Sequence, residues 1–74
     1  MFKYNPLWKT LIDKGIKKSK FYSNLSISSS VRTKLNNNMN VGMDILDKIC
    51  CYLDVPIEEV IEWERDIKIT RDGK

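Results

Sequence analysis

Histidine is absent from this chain of 74 residues, and cysteine occurs only twice, as the neighbours Cys50 and Cys51. Without histidine, and with only two adjacent thiols, the chain cannot assemble a tetrahedral zinc set. The commonest general base at neutral pH is also missing. None of the three glycines belongs to a phosphate-binding loop. We therefore expect no metal, no cofactor and no enzymatic activity.

Long apolar runs are also lacking. Uninterrupted apolar stretches are only a few residues long, so no transmembrane helix is expected. Residues 1–6 contain no apolar signal core, which favours a cytoplasmic location. A chain of 74 residues with 42% apolar content is typical of one small globular domain.

Acidic residues are scarce in the first half of the chain. Residues 1–40 contain eight lysines or arginines and one acid, Asp13, for a net charge of +7, whereas residues 41–74 carry −4. A one-sided basic region typically serves a polyanion, because released counterions drive the binding. The same lysines on a solvated surface would only keep the protein soluble. Composition leaves both interpretations open.

Apolar spacing and helix-capping residues predict five short helices, at residues 6–14, 17–25, 28–36, 43–53 and 56–63. Pro6 suits the start of the first helix, and Gly15 suits a left-handed stop after it. Ser28 is a good cap for the third helix. Short connections between these helices favour a compact all-α bundle.

The second and third predicted helices are joined by a two-residue turn at Ser26 and Ile27. In a helix-turn-helix motif, the later helix enters the major groove and its first residues meet base edges. Residues 28–34 begin with three serines and add two cations. Serine can donate or accept at any base edge, and its small size lets the backbone approach. The pattern therefore favours duplex DNA as the partner.

Three stretches resemble the Cro/CI repressor type of helix-turn-helix domain, the XRE-like family: PLWKTLIDKGIKK (6–18), ISSSVRTKL (27–35) and VGMDILDKICCYLDVPIEEVIEW (41–63). The likeness covers about residues 4–63 and is greatest to short phage and mobile-element regulators of Gram-positive bacteria. It implies a five-helix, lambda-repressor-like domain over residues 1–63, with its motif at about 17–36. It also implies a repressor-like transcriptional regulator that binds double-stranded DNA as a homodimer.

Family site residues carry over by position. The resemblance places base reading on the third helix, at Ser29, Ser30, Thr33 and Lys34. It places phosphate contacts around that helix, at Lys17, Lys18, Ser28, Asn37, Asn38 and Asn40. The serines and the two lysines also follow from the residue pattern itself, whereas the asparagines would serve equally well as a helix stop.

Three positions depart from the family pattern. Tyr22 stands where alanine is usual, Ser26 where glycine is usual, and Arg32 where isoleucine or leucine is usual. A buried, unpaired Arg32 would be costly. Either the third helix is rotated, or Arg32 extends along its stem to the surface. We expect a rotation or a shifted start, with Tyr22 filling the gap, which leaves a DNA role for Arg32 undecided.

The remaining features have plainer interpretations. The carboxylates of Glu58, Glu59, Glu62 and Glu64 predict an exposed acidic helix face rather than a metal site. We expect Trp8 in the core beside Leu11 and Ile12, and Cys50 as an inert core thiol. Trp63 fits either the core or a dimer contact.

The tail, residues 64–74, alternates Ile67 and Ile69 with polar residues, and predicts either a short strand that pairs with a twin chain or a frayed end. Two functions stay open for the whole chain. One is a DNA-binding regulator; the other is a protein-binding module on the same scaffold, such as a phage-encoded inhibitor or antirepressor.

Overall fold

The structure, a computed structural model, describes residues 1–65. In chain order the elements are β1 (Phe2–Lys3), α1 (Asn5–Asp13), α2 (Lys18–Asn24), α3 (Ser29–Asn36), α4 (Met43–Leu53), a 3-10 turn (Ile57–Glu59) and β2 (Glu62–Trp63). Within this described part, none of the helices has the length and apolar content needed to cross a bilayer. The predicted strand around Ile67 and Ile69 lies outside the described residues.

The first four predicted helices are confirmed, with ends that agree to within one residue. The stop after α1 forms as expected at Gly15, whose φ is +69°. There the amide of Ile16 donates to Leu11 O at 2.9 Å, and the amide of Gly15 donates to Ile12 O at 3.0 Å. This pair of bonds satisfies carbonyls that the end of α1 would otherwise leave free.

The predicted fifth helix is wrong. Only the 3-10 turn Ile57–Glu59 forms, and the chain then enters β2. A continued helix would need the carbonyls of Glu59 and Val60 for its own next turn. Instead, Thr10 Oγ1 donates to Glu59 O at 2.8 Å, and the amide of Leu7 donates to Val60 O at 3.1 Å. Hydrogen bonds to α1 therefore replace the helical ones, and the fold has four α-helices rather than five.

A two-stranded antiparallel sheet closes the domain, which sequence reasoning missed. Phe2 pairs with Trp63, and Lys3 pairs with Glu62. The ammonium of Lys3 lies 2.7 Å from the Glu64 carboxylate, and this ion pair raises the pKa of Lys3. A strand of two residues is too short to produce a detectable alternation of polar and apolar positions.

The core lies between the four helices and the 3-10 turn. Its fully buried side chains are Leu7, Leu11, Phe21, Leu35, Ile49 and Val60. Trp8 packs half-buried against this core. Ile12, expected inside, is instead 78% exposed, and Met43 is 83% exposed. On α1 the buried residues are Leu7, Thr10 and Leu11, which fill the inward face and leave Ile12 outside it.

Candidate nucleic-acid interface

The turn between α2 and α3 spans residues 25–28. Ser26 takes the left-handed conformation, with φ of +54°, in the position where glycine is usual. Its amide donates to Ser23 O at 3.1 Å, and the amide of Ile27 donates to Tyr22 O at 3.0 Å. Ile27 is buried at 4% exposure and anchors the turn to the core. Serine therefore holds the turn at a conformation that costs a non-glycine residue some strain.

The predicted cap of α3 is confirmed. Ser28 has an extended backbone, and its Oγ accepts a hydrogen bond from the amide of Val31 at 3.3 Å. The same oxygen lies 3.1 Å from Ser30 Oγ. Because a capping side chain satisfies an amide that has no partner inside the helix, Ser28 fixes where α3 begins.

The four residues expected to read bases share one solvent-facing side of α3: Ser29, Ser30, Thr33 and Lys34 are all exposed. Leu35 is fully buried and Val31 half-buried on the other side. Thr33 Oγ1 donates back to Ser29 O at 3.1 Å, which fixes its rotamer. The helix thus presents two exposed serine hydroxyls, a threonine methyl group and an ammonium on one side.

The two lysines expected to bind phosphate, Lys17 and Lys18, differ in their contacts within the described residues. Lys18 Nζ lies 4.0 Å from the centroid of the Trp8 ring and 3.2 Å from Asn36 Oδ1. Lys18 thereby links α1 to α3. Lys17 is the exposed residue that precedes α2, and it has no side-chain hydrogen bond within residues 1–65.

The asparagines after α3 have different environments. Asn37 is exposed, and its Nδ2 donates to Thr33 O at 2.8 Å. Asn38 is half-buried with φ of +55°, and its Oδ1 accepts from the amide of Tyr4 at 3.0 Å. Asn40 is exposed. The helix stop expected from this run is therefore present, and Asn38 also fastens the N-terminal segment to the end of α3.

α3 begins directly after its Ser28 cap. Arg32 follows the second course expected for it and lies on the surface. Its Nε donates to Ile27 O at 3.1 Å, and its guanidinium carbon lies 5.1 Å from the centroid of the Tyr22 ring. No buried, unpaired charge results.

Tyr22 fills the space between α2 and α3, as expected. Its side chain is 7% exposed, and its hydroxyl donates to Asn36 Oδ1 at 3.3 Å. Burial raises the pKa of Tyr22, although the bond to Asn36 and the charge of Arg32 act in the opposite direction. Sequence reasoning missed Asn36, which accepts bonds from both Tyr22 and Lys18.

Charge is segregated across the domain. Residues 14–43 contain six lysines or arginines and no acid, and they include all of α2 and α3. By contrast, a groove of about 520 Å³ between α1 and the 3-10 turn is lined by Asp13, Glu58, Glu59 and Glu62, with Lys9 among them. Within residues 1–65, none of the cations around α2 and α3 forms a salt bridge. The exposed serines therefore lie in a stretch of the chain whose charged side chains are all positive.

Comparisons with known proteins agree on the type of domain. The model of the Cro/C1-type helix-turn-helix DNA-binding domain matches residues 6–66. Among solved structures, the chain is similar to a crystal structure of the transcriptional regulator VanUg (Form II). Their TM-score is 0.84 at 37% identity, over 88% of this chain and 87% of that one. No curated protein matches.

Proposed function

Because the chain belongs to the Cro/C1-type helix-turn-helix DNA-binding family, we propose that it is a sequence-specific, repressor-like transcriptional regulator. In this proposal α3 (Ser29–Asn36) lies in the major groove of duplex DNA. One observation carries the proposal: the exposed side of α3 presents small polar groups inside a stretch that contains six cations and no acid.

We assign base reading to Ser29, Ser30, Thr33 and Lys34. The serine hydroxyls can donate or accept at base edges, and the ammonium of Lys34 suits the O6 and N7 acceptors of guanine. Thr33 uses its proton on Ser29 O. Its oxygen therefore accepts from a base amino group, while its methyl group can contact the methyl group of thymine.

We assign phosphate contacts to Lys17, Lys18, Ser28, Asn37, Asn38 and Asn40, and we add Arg32. Two features support Arg32 as a phosphate ligand. Its Nε is already held by Ile27 O, and its guanidinium lies over Tyr22. The two terminal amino groups of a guanidinium fixed in this way remain for a phosphate, so less side-chain freedom is lost on binding.

A homodimer on a partly palindromic site follows from size. One small domain of this kind buries on the order of 600–1,000 Å² of its surface on DNA, so useful affinity calls for two copies. Two half-sites would then lie about one helical turn apart.

The proposal is tested by selection from random duplex oligonucleotides, followed by fluorescence anisotropy on the selected site. We expect enrichment of paired half-sites about one helical turn apart. Ser29→Ala and Thr33→Val should relax base preference, whereas Lys9→Ala, in the acidic groove beside α1, should leave it unchanged. Binding without any sequence preference, together with a tight protein partner, would instead favour a protein-binding module on this scaffold.

A further inference from the structure

A second exposed surface is apolar rather than charged. It surrounds a groove of about 560 Å³ that lies between the sheet, the start of α4 and the loop after α3. Met43, Trp63 and Phe2 line it and are 83%, 62% and 47% exposed. We call this the sheet–α4 surface.

The sheet holds the aromatic part of this surface in place. Phe2 and Trp63 are direct cross-strand partners and therefore project from the same face of the sheet. The sheet is fastened by the ion pair between Lys3 and Glu64 and by the bond from the Glu64 amide to Met1 O at 2.8 Å. The exposed rings thus belong to an ordered element whose position is fixed by pairing.

Leu46 and Ile61 form part of the lining and are half-buried against the core. The sheet–α4 surface is therefore continuous with the hydrophobic core. A contiguous apolar patch of this kind on a small domain marks a surface that another molecule covers.

The distribution of charge indicates which molecule covers the sheet–α4 surface. In a two-fold interface each surface meets a copy of itself, so any charge near the axis meets its like. Among residues 1–65, no side chain that lines this groove carries a charge, and the α-ammonium of Met1 at its edge donates to Glu64 O. The basic side around α2 and α3 and the acidic groove beside α1 would each repel a second copy of themselves. Of the three surfaces, only the sheet–α4 surface is complementary to itself.

The location of this surface leaves the proposed base-reading residues free, while two of the proposed phosphate contacts line its edge. Its lining includes Asn38 and Asn40, which follow α3, but none of the residues assigned to base reading. A two-fold axis through the surface would therefore bring the ends of both α3 helices toward the axis without covering Ser29, Ser30 or Thr33.

We propose that the sheet–α4 surface is the site at which a second copy of this chain docks, with Met43, Trp63 and Phe2 as its apolar anchors. The role of this dimer in DNA binding rests on the function proposed above, because two half-sites need two copies of α3. The docking itself does not depend on DNA.

The test is sedimentation velocity of the full chain without DNA, over a series of protein concentrations. The variants are Met43→Glu and Trp63→Glu, each of which places a carboxylate where it would meet its counterpart across the axis. Met43 opens α4, where a negative side chain is favoured by the helix, so Met43→Glu should fold normally. Ile12→Glu is the matched control, since Ile12 is 78% exposed and lies outside the groove.

We expect the wild type and Ile12→Glu to sediment at twice the chain mass of 8.7 kDa. Both surface variants should dissociate, with the dimer dissociation constant raised at least about tenfold. Circular dichroism should show that all the variants that are compared remain folded. A monomeric wild type at every concentration would overturn the proposal, and so would a folded Met43→Glu chain that dimerises like the wild type.

DNA-binding measurements on the same chains distinguish a failure of this inference from a failure of the proposed function. A wild-type dimer that dissociates on Met43→Glu but binds no duplex would contradict the regulator function and leave the interface standing. A wild type that binds a single half-site as a monomer, with no cooperative second copy, would contradict the interface alone.

Discussion

The guanidinium of Arg32 lies over the ring of Tyr22, 5.1 Å from its centroid. These two residues occupy positions where the family pattern has an aliphatic residue and an alanine. The two residues that depart from the family pattern therefore contact each other across α2 and α3. A tyrosine fills the space that the aliphatic side chain would have filled, and the arginine moves to the surface and covers the ring. Each replacement is compatible with the fold because of the other.

This coupling predicts non-additive effects on stability. Arg32→Met keeps an apolar stem but removes the charge over the ring, and Tyr22→Leu removes the ring. We expect the free energy of unfolding of the double variant to exceed the additive value by about 0.5–1 kcal/mol, the size of an exposed cation–π contact. Urea unfolding of the four chains measures this coupling. Additivity within about 0.3 kcal/mol would show that Arg32 and Tyr22 act independently.

Adjacent serines at the start of α3 should have separable roles. Ser28→Ala removes the cap on the Val31 amide and should lower the free energy of unfolding by about 1 kcal/mol. For a domain of this size that corresponds to a melting temperature lower by roughly 4–8 °C. Ser29→Ala, at an exposed position next to the cap, should change stability by less than about 0.5 kcal/mol but alter base preference.

Thermal melts and binding to the selected oligonucleotide measure the two effects for both variants. Equal loss of stability in Ser28→Ala and Ser29→Ala would contradict the assignment of the cap to Ser28 alone.

How far the sequence determines this fold differs between elements. The bounds of α4 were predicted without error, because its apolar residues recur at helical spacing from one end of the helix to the other. The cap at Ser28 and the stop at Gly15 were predictable because each depends on one residue and its own backbone. The exposed side of α3 followed from the same local signals.

Long-range hydrogen bonds explain the errors. No local signal in residues 56–63 predicts that Thr10 and Leu7 donate hydrogen bonds to the carbonyls of Glu59 and Val60. The N-terminal strand likewise depends on its pairing with Glu62 and Trp63, at the other end of the described residues. The role of Asn36 could not be read locally either, since its partners Lys18 and Tyr22 belong to another helix.

Phosphate binding should be visible in the salt dependence of DNA affinity. Lys17→Ala combined with Lys18→Ala should weaken binding to every duplex and reduce the slope of log affinity against log salt by roughly 2. The single variants should differ in stability, because Lys18 also contacts Trp8 and Asn36 whereas Lys17 is free in the described part of the chain. Lys9→Ala, beside the acidic groove, is the control and should keep the wild-type slope. An unchanged slope in the double variant would place the phosphates elsewhere.

Two buried tyrosines predict a loss of stability at alkaline pH. Burial raises the pKa values of Tyr4 and Tyr22 above the ordinary value of about 10. Below pH 10 both phenols are neutral in the folded and the unfolded chain, so their contribution to stability is fully present. Above about pH 10 the unfolded chain ionises first, and stability falls as the pH rises through the folded-state values, by at most about 1.4 kcal/mol per pH unit for each tyrosine.

Urea midpoints between pH 7 and pH 11 measure this loss. The measurement is best made on a Cys50→Ala background, because burial also raises the pKa of the Cys50 thiol and would add a decline that begins near pH 9. Tyr4→Phe should be less stable at pH 7, since it loses the bond from the Tyr4 hydroxyl to Met39 O at 2.6 Å, but should lose less between pH 10 and pH 11. If the decline has the same steepness with and without the Tyr4 hydroxyl, that group does not cause it.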